Sequence, residues 1–284
     1  MADWGSIEMV WSFGPASASG MVSVLQLTDL HLYAREGERL LGVDTARSFE
    51  AIVQTVVQQN FPYDLVIITG DISQDYSAAS YTRFSQLIRP LQARIFFLPG
   101  NHDDGPLMYR MLGDYGISTE RHVICGNWQF VFLNSEVYGV PHGWLRQEEQ
   151  QFLQECVYQN PELHTVVCVH HMPLLCNSAW LDSQTMHNHE EFNACLTRLN
   201  FNNRIKLVMT GHIHQEFDRM YSNIRYIASP STSIQFQPNS QTFALDYIGP
   251  GYRTFVFDPV GSLTTRVYRL PPGRFVPDSG VQGY

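Results

Sequence analysis

Five short segments carry most of the residues in this chain that could do chemistry. They are Thr28-Asp29-Leu30-His31, Gly70-Asp71, Gly100-Asn101-His102-Asp103, His170-His171 and Gly211-His212-Ile213-His214. Together they offer carboxylates, a carboxamide and several imidazoles. Imidazole suits first-row ions such as Zn, Fe and Mn, and a carboxylate can bridge two of them. The set has the chemistry of a two-metal centre. No cysteine stands within the five segments, which argues against a closed structural zinc site. Asp29/His31 and His212/His214 are i,i+2 pairs, and an extended backbone points such a pair to one side. Glycines before Asp71, Asn101 and His212 permit the tight turns these ligands need. Singly the motifs are weak, since an Asp-x-His is more often a turn or a cap. Their occurrence together and in order carries the reading.

To act together, the segments must be brought to one place. Each follows an apolar run that reads as a strand: 22–27, 65–69, 94–98, 165–169 and 205–210. In open α/β sheets the loops at the carboxyl ends of parallel strands converge on one crevice. Helices are expected over 45–59, 78–88 and 145–158, with further strands over 128–133, 225–227, 254–257 and 263–268. Alternation of strand and helix in the first half implies parallel pairing through crossover helices, and the hairpin-like ending implies added antiparallel strands. No Pro/Gly/Ser linker divides the chain, so residues 21–284 are expected to form one domain. Residues 1–20 resemble a secretory leader only in part. They lack a basic start, and Asp3 and Glu8 interrupt them, so they read as a flexible arm.

Composition narrows the classes. With 44% hydrophobic and 16% charged residues, the 284-residue chain can bury a large core and is not a disordered chain. Its net charge of −9 disfavours a nucleic-acid binder. Lys206 is the only lysine among 18 basic residues, whereas histidine occurs 11 times, a bias toward metal or proton chemistry. Cys125, Cys156, Cys168, Cys176 and Cys195 form no C-x-x-C pair and are odd in number. They read as buried thiols in a reducing, cytoplasmic setting. No apolar run reaches the length of a membrane span.

The ordered series Asp29-x-His31, Gly70-Asp71, Gly100-Asn101-His102-Asp103, His170 and Gly211-His212-x-His214 resembles the calcineurin-like metallophosphoesterase family. The stretches between are similar to its bacterial class III cyclic-nucleotide phosphodiesterases. These stretches are Leu40-Leu41-Gly42-Val43, Gly70–Asp75, Gly139-Val140-Pro141-His142-Gly143, Trp180-Leu181-Asp182, Gly211–Glu216, Pro230-Ser231-Thr232, Arg274-Phe275-x-Pro277-Asp278 and the final Gly283-Tyr284.

That resemblance implies a four-layer α/β/β/α sandwich and hydrolysis of 3′,5′-cyclic AMP to 5′-AMP by a metal-bridging hydroxide. One ion would be held by Asp29, His31 and His214, the other by Asn101, His170 and His212, with Asp71 bridging. The ions would be Fe or Mn, with Zn also admitted. The substrate phosphate would lie against His31, Asp71, Asn101, His102 and His214. His102 matches the family's histidine that binds no metal and would serve as general acid or transition-state stabiliser. Asp103 either orients it or caps the loop.

His171 should point away from the centre if the strand continues. His142, His187 and His189 line the substrate mouth or lie on the surface, and Trp180 stacks on adenine or packs in the core. Another phosphodiesterase or nucleotidase on the same centre, or a non-catalytic scaffold, are the competing readings. The sequence leaves the oligomeric state open.

Overall fold

The computed structural model describes residues 10–278 and Gly280. The first nine residues and the closing Gly283-Tyr284 lie outside the described residues. In chain order the strands and helices begin with β1 (Trp11–Phe13), β2 (Val22–Leu27), the short pair β3 (Arg39–Leu40) and β4 (Val43–Asp44), and α1 (Thr45–Gln59). Next come β5 (Leu65–Ile68), α2 (Ala78–Leu87), β6 (Arg94–Phe97), α3 (Gly105–Asp114), β7 (His122–Cys125), β8 (Trp128–Phe132) and α4 (Gln147–Gln159). Then follow β9 (His164–Cys168), α5 (Ala179–Asp182), α6 (His189–Leu199), β10 (Ile205–Thr210), β11 (Phe217–Tyr221) and β12 (Ile224–Ala228). The chain closes with β13 (Gln235–Phe236), β14 (Leu245–Asp246), β15 (Gly251–Phe257) and β16 (Leu263–Arg269).

Two sheets dominate, ordered β16-β15-β2-β5-β6 and β1-β7-β8-β9-β10-β12-β11. Strand alternation sorts side chains into three apolar layers. On β2, Val22 and Val24 turn toward the opposite sheet, where they meet Phe130, Cys168 and Met209, while Leu25 and Leu27 pack with Phe49 and Ile52 of α1. On the far side, Val167 and Val208 pack with Leu153 of α4 and Phe192 of α6. The result is the expected helix–sheet–sheet–helix sandwich, and burial on both faces explains why its strands are continuous apolar runs. Helix α1 shows how sharply local chemistry sets an element. The Asp44 carboxylate accepts from the Arg47 N–H at 3.1 Å, and its C-cap, Asn60, is left-handed at φ 49°.

Register positions the site. Leu27, Ile68 and Phe97 lie in one row across the parallel strands β2, β5 and β6. Cys168 and Met209 pair likewise across β9 and β10. The five chemical segments leave their strands at matched levels, on facing edges of the two sheets.

The structure corrects the arm reading over its described part. Trp11–Phe13 pairs in parallel with β7, the Arg94 guanidinium lies 4.3 Å from the Phe13 ring centroid, and Trp11 meets Phe96 edge-on at 5.8 Å. Two similar stretches far apart in sequence also meet. The Asp278 N–H donates to the Leu41 carbonyl at 2.8 Å, and its carboxylate packs where a Cβ on Gly42 would fall. Among the described residues, no helix is long and apolar enough to cross a membrane.

Candidate metal centre

The loops after β2 and β5 are stitched together first. Asp29 N–H donates to the Gly70 carbonyl, and the Leu30 and His31 N–H groups converge on the Asp71 carbonyl at 2.8 and 2.9 Å. These bonds hold unusual backbone. Asp29, His31, Asp71, His212 and His214 have φ of 54°, 52°, 53°, 68° and 48°, in the left-handed region that non-glycine residues rarely occupy. The i,i+2 pairs therefore reach one side by left-handed turns and not by extended chain. Such conformations cost roughly 1–3 kcal/mol each and persist only where the surroundings over-determine them. Here Ser231 and Ser233 hydroxyls both donate to the Asp29 carbonyl, at 2.8 and 3.0 Å.

The preceding glycines have two different reasons. Gly70 turns at φ 98°. All three also leave room, because a Cβ would run into the His170 ring at Gly70, the Asp71 carboxylate at Gly100, and the Thr28 hydroxyl and Asp29 carboxylate at Gly211.

All seven donors meet, almost wholly buried. Ligand atoms of Asp29, His31, Asp71 and His214 lie within 4.8 Å of one another, and so do those of His170, His171 and His212. Asn101 Oδ1 lies 3.2 Å from His170 Nε2 and 3.0 Å from His212 Nδ1, and Asp71 Oδ2 lies 3.3 Å from His170 Nε2.

The outer hydrogen bonds fix each ring. His31 Nδ1 donates to Gln74 Oε1 at 2.6 Å, His170 Nδ1 to the Thr69 carbonyl at 2.7 Å, and His214 Nδ1 to the Ile234 carbonyl at 3.0 Å. His212 is reversed, with Nε2 donating to the Gln184 carbonyl at 2.9 Å. With those tautomers, a ring that is neutral carries its lone pair on the inward nitrogen. His31 Nε2 and His214 Nε2 then face each other at 3.1 Å, lone pair to lone pair. His170 and His212 present the same conflict to Asn101 Oδ1. Acceptors packed against acceptors, each held from behind, are what a cation between them resolves. The donor set fits two metal ions.

Without an ion, one proton relieves part of the conflict. Burial works against a charge on His170, but the Asp71 carboxylate outweighs it and raises the imidazole to about 9. Burial drives His31 and His212 down to about 3, so both stay neutral. Burial would raise Asp71, yet the charge on the neighbouring His170 ring, foremost, holds it well below the usual carboxylate range.

The remaining histidines and neighbours divide. His102 donates its backbone N–H to Asp71 Oδ1 at 2.9 Å, and its half-buried ring stands edge-on to His31 at 5.1 Å. Asp103 is the loop cap of the two alternatives. Its carboxyl accepts from the N–H groups of Ile72, Ser73 and Gly100 at 3.2, 2.9 and 3.0 Å, tying two ligand loops together. Burial, reinforced by the Asp71 charge, lifts it to about 7.

His171 does not point away as expected. The strand has ended, its ring lies 4.6 Å from His212, and its Nδ1 bonds Ser135 Oγ at 2.8 Å. Trp180 packs edge-on against Phe236 and Phe243, at 4.8 and 5.2 Å. His142 and His187 stack on each other at 3.8 Å, and His189 opens α6. Sequence reasoning missed the outer partners. Gln74 was visible inside the Gly70–Asp75 stretch, whereas the Thr69, Ile234 and Gln184 carbonyls left no signal, because any residue type supplies one.

The calcineurin-like phosphoesterase profile matches residues 22–216. The chain is 40% identical over 271 residues, 95% of its length and 98% of the relative's, to the 3′,5′-cyclic adenosine monophosphate phosphodiesterase CpdA of Escherichia coli. It is 42% identical over 264 residues to the Vibrio vulnificus enzyme of that name, covering 93% of this chain and 95% of that one. Among solved structures, GAP50, the anchor in the inner membrane complex of Plasmodium, superposes with a TM-score of 0.58 at 12% identity. That match covers 90% of each chain and shows a shared fold alone.

Proposed function

This chain belongs to the calcineurin-like phosphoesterase family, and we propose that it hydrolyses 3′,5′-cyclic AMP to 5′-AMP. The observation that carries the reading is the convergence of all seven donors in one crevice, with their inward lone pairs in conflict. Asp29, His31 and His214 would hold one divalent ion, and Asn101, His170 and His212 the other, with Asp71 shared between them. When bound, such ions make water acidic enough to serve as a nucleophile near neutral pH and offset negative charge on the phosphoryl oxygens.

The reaction adds a water oxygen to phosphorus and breaks the bond from phosphorus to the 3′ oxygen, which must take up a proton. His102, beside His31 and half open, is the group placed to supply that proton or a hydrogen bond. Its N–H bond to Asp71 keeps it in register with the ligands. His31, Asp71, Asn101, His102 and His214 together form the floor under the substrate phosphate.

Iron or manganese fits the mixed nitrogen and oxygen donors, and zinc fits them as well. Five free, buried cysteines suit a reducing cytosol. The acidic balance suits a small anion met by metal ions better than a nucleic acid. The test is turnover by protein loaded separately with Mn, Fe and Zn, on cyclic AMP and on simple phosphodiesters. Metal-dependent release of 5′-AMP is expected. Rapid cleavage of another phosphoester with cyclic AMP left intact would reassign the substrate, and metal binding without any turnover would leave a scaffold.

A further inference from the structure

From His102 an aromatic row runs outward, and its two tyrosines have no role in the metal centre. The Tyr76 and His102 rings are 25° from parallel with centroids 6.4 Å apart, and Tyr138 lies 5.5 Å from Tyr76. The row is fastened to the ligands. The Tyr76 hydroxyl donates to the Asn101 carbonyl at 2.9 Å, while His102 N–H holds Asp71. Tyr76 also adopts φ 58°, a left-handed backbone that a bulky residue takes only against a cost, and which places its ring next to His102. Tyr138, on the loop that follows β8, is 68% exposed. One exposed tyrosine is ordinary, but one that continues a row of rings rising from a metal centre is a surface for a planar ligand.

We propose that Tyr138, backed by Tyr76, is the stacking surface for the base of the cyclic nucleotide. This rests on the phosphodiesterase reading above. The chemistry is direct. With the phosphate held by the donor set, the fused ribose spaces the base from phosphorus by a single furanose, and the row begins at His102 on the crevice wall. Trp180, the other aromatic considered for this role, is half-buried with its ring engaged by Phe236 and Phe243. Stacking is tolerant of base identity because every base has a π face. Tyr138 therefore sets affinity for purine cyclic nucleotides without choosing between adenine and guanine.

The experiment compares wild type, Tyr138→Ala and Tyr138→Phe on cyclic AMP, cyclic GMP and the 3′,5′-cyclic phosphate of 1-deoxyribose, which has no base. Tyr138→Ala should raise KM for both nucleotides by roughly tenfold with kcat within twofold. Tyr138→Phe should restore KM, and the baseless substrate should not respond. An unchanged KM for cyclic AMP, or an equal rise with the baseless substrate, overturns the proposal. Should the wild type leave cyclic AMP intact, the phosphodiesterase reading fails separately. The same variants then decide the shelf through inhibition of bis(4-nitrophenyl) phosphate hydrolysis by 5′-AMP. A weaker inhibition in Tyr138→Ala, absent in Tyr138→Phe, upholds it, and equal inhibition overturns it.

Discussion

A crevice and a cleft in this molecule each gather charged side chains, and they solve the problem differently. The crevice is the one at the strand ends. The cleft lies between the sheet edges formed by β11–β12 and β15–β16, lined by Glu216, Asp218, Arg225, Arg253 and Arg269. In the cleft, charge is answered within the chain. Arg225 grips Asp218 through two hydrogen bonds of 2.8 and 2.6 Å. Arg253, 2% exposed, donates to the Ala228 carbonyl at 3.2 Å, and Arg269 donates to the Gly249 carbonyl at 3.0 Å. Of the nitrogens on these three arginines, only Arg253 Nε is buried without a partner among the described residues. In the crevice the outer atoms are just as well held, but the inner ones oppose like with like. Clustered charge is common to both, although in the cleft only Arg253 is buried while Glu216 and Asp218 stand exposed. What marks a ligand site is a conflict that the chain itself leaves unresolved.

The largest effect should come from removing the group on which that conflict turns. Asp71→Asn keeps the shape but loses the carboxylate shared between the two donor groups. Turnover of cyclic AMP is expected to fall at least about a thousandfold, and the metal content of the purified protein should fall below two ions per chain. Full metal content with full activity would remove the distinction between crevice and cleft. His102→Ala sharpens the same comparison from within the crevice. It should lower kcat about a hundred- to ten-thousandfold while leaving both ions in place, because its ring stands beside the donor set. Equal loss of metal in the two variants would make His102 a ligand.

How much of this was legible before the fold was known follows the same division. All seven candidates that meet at the crevice were readable as residues, because aspartate, asparagine and histidine at strand ends are rare enough in combination to stand out. The sandwich was readable too, since strands buried on both faces are continuous apolar runs, as at Leu65–Ile68 and Trp128–Phe132. Helix α3 was missed because Gly105, Pro106 and Gly113 read as loop, although Asp104 caps it by accepting from the Leu107 N–H at 3.0 Å. Strand β11 was missed because four of its five residues are exposed, which leaves no alternation to read. The left-handed ligand residues could not be foreseen from pattern at all. At Asp29, His31 and Asp71 that backbone is held by Ser231, Ser233 and the Asp71 carbonyl, contacts made across the fold. His171 was misplaced for the same reason, because the extended backbone assumed for it stops at Cys168.

The smallest effect tests the cleft. Arg253→Met keeps an unbranched apolar stem in a buried position and deletes the guanidinium. The Ala228 carbonyl loses its arginine partner, and a lost hydrogen bond to a charged group costs about 1.5–3 kcal/mol. Against that loss stands the relief of taking a cation out of a buried position. Burial lowers the Arg253 guanidinium to about 10 despite the attraction of Glu216 and Asp218. Replacing buried ions by apolar side chains of similar volume is often close to neutral for this reason. The two terms oppose each other, so a net destabilisation of about 1 kcal/mol is expected in urea unfolding. Turnover of cyclic AMP and metal content should match the wild type, because the cleft shares no lining residue with the donor set. A folded Arg253→Met protein that keeps its two ions but loses turnover would break the comparison. A cleft whose charges are answered within the chain would then be part of the reaction after all.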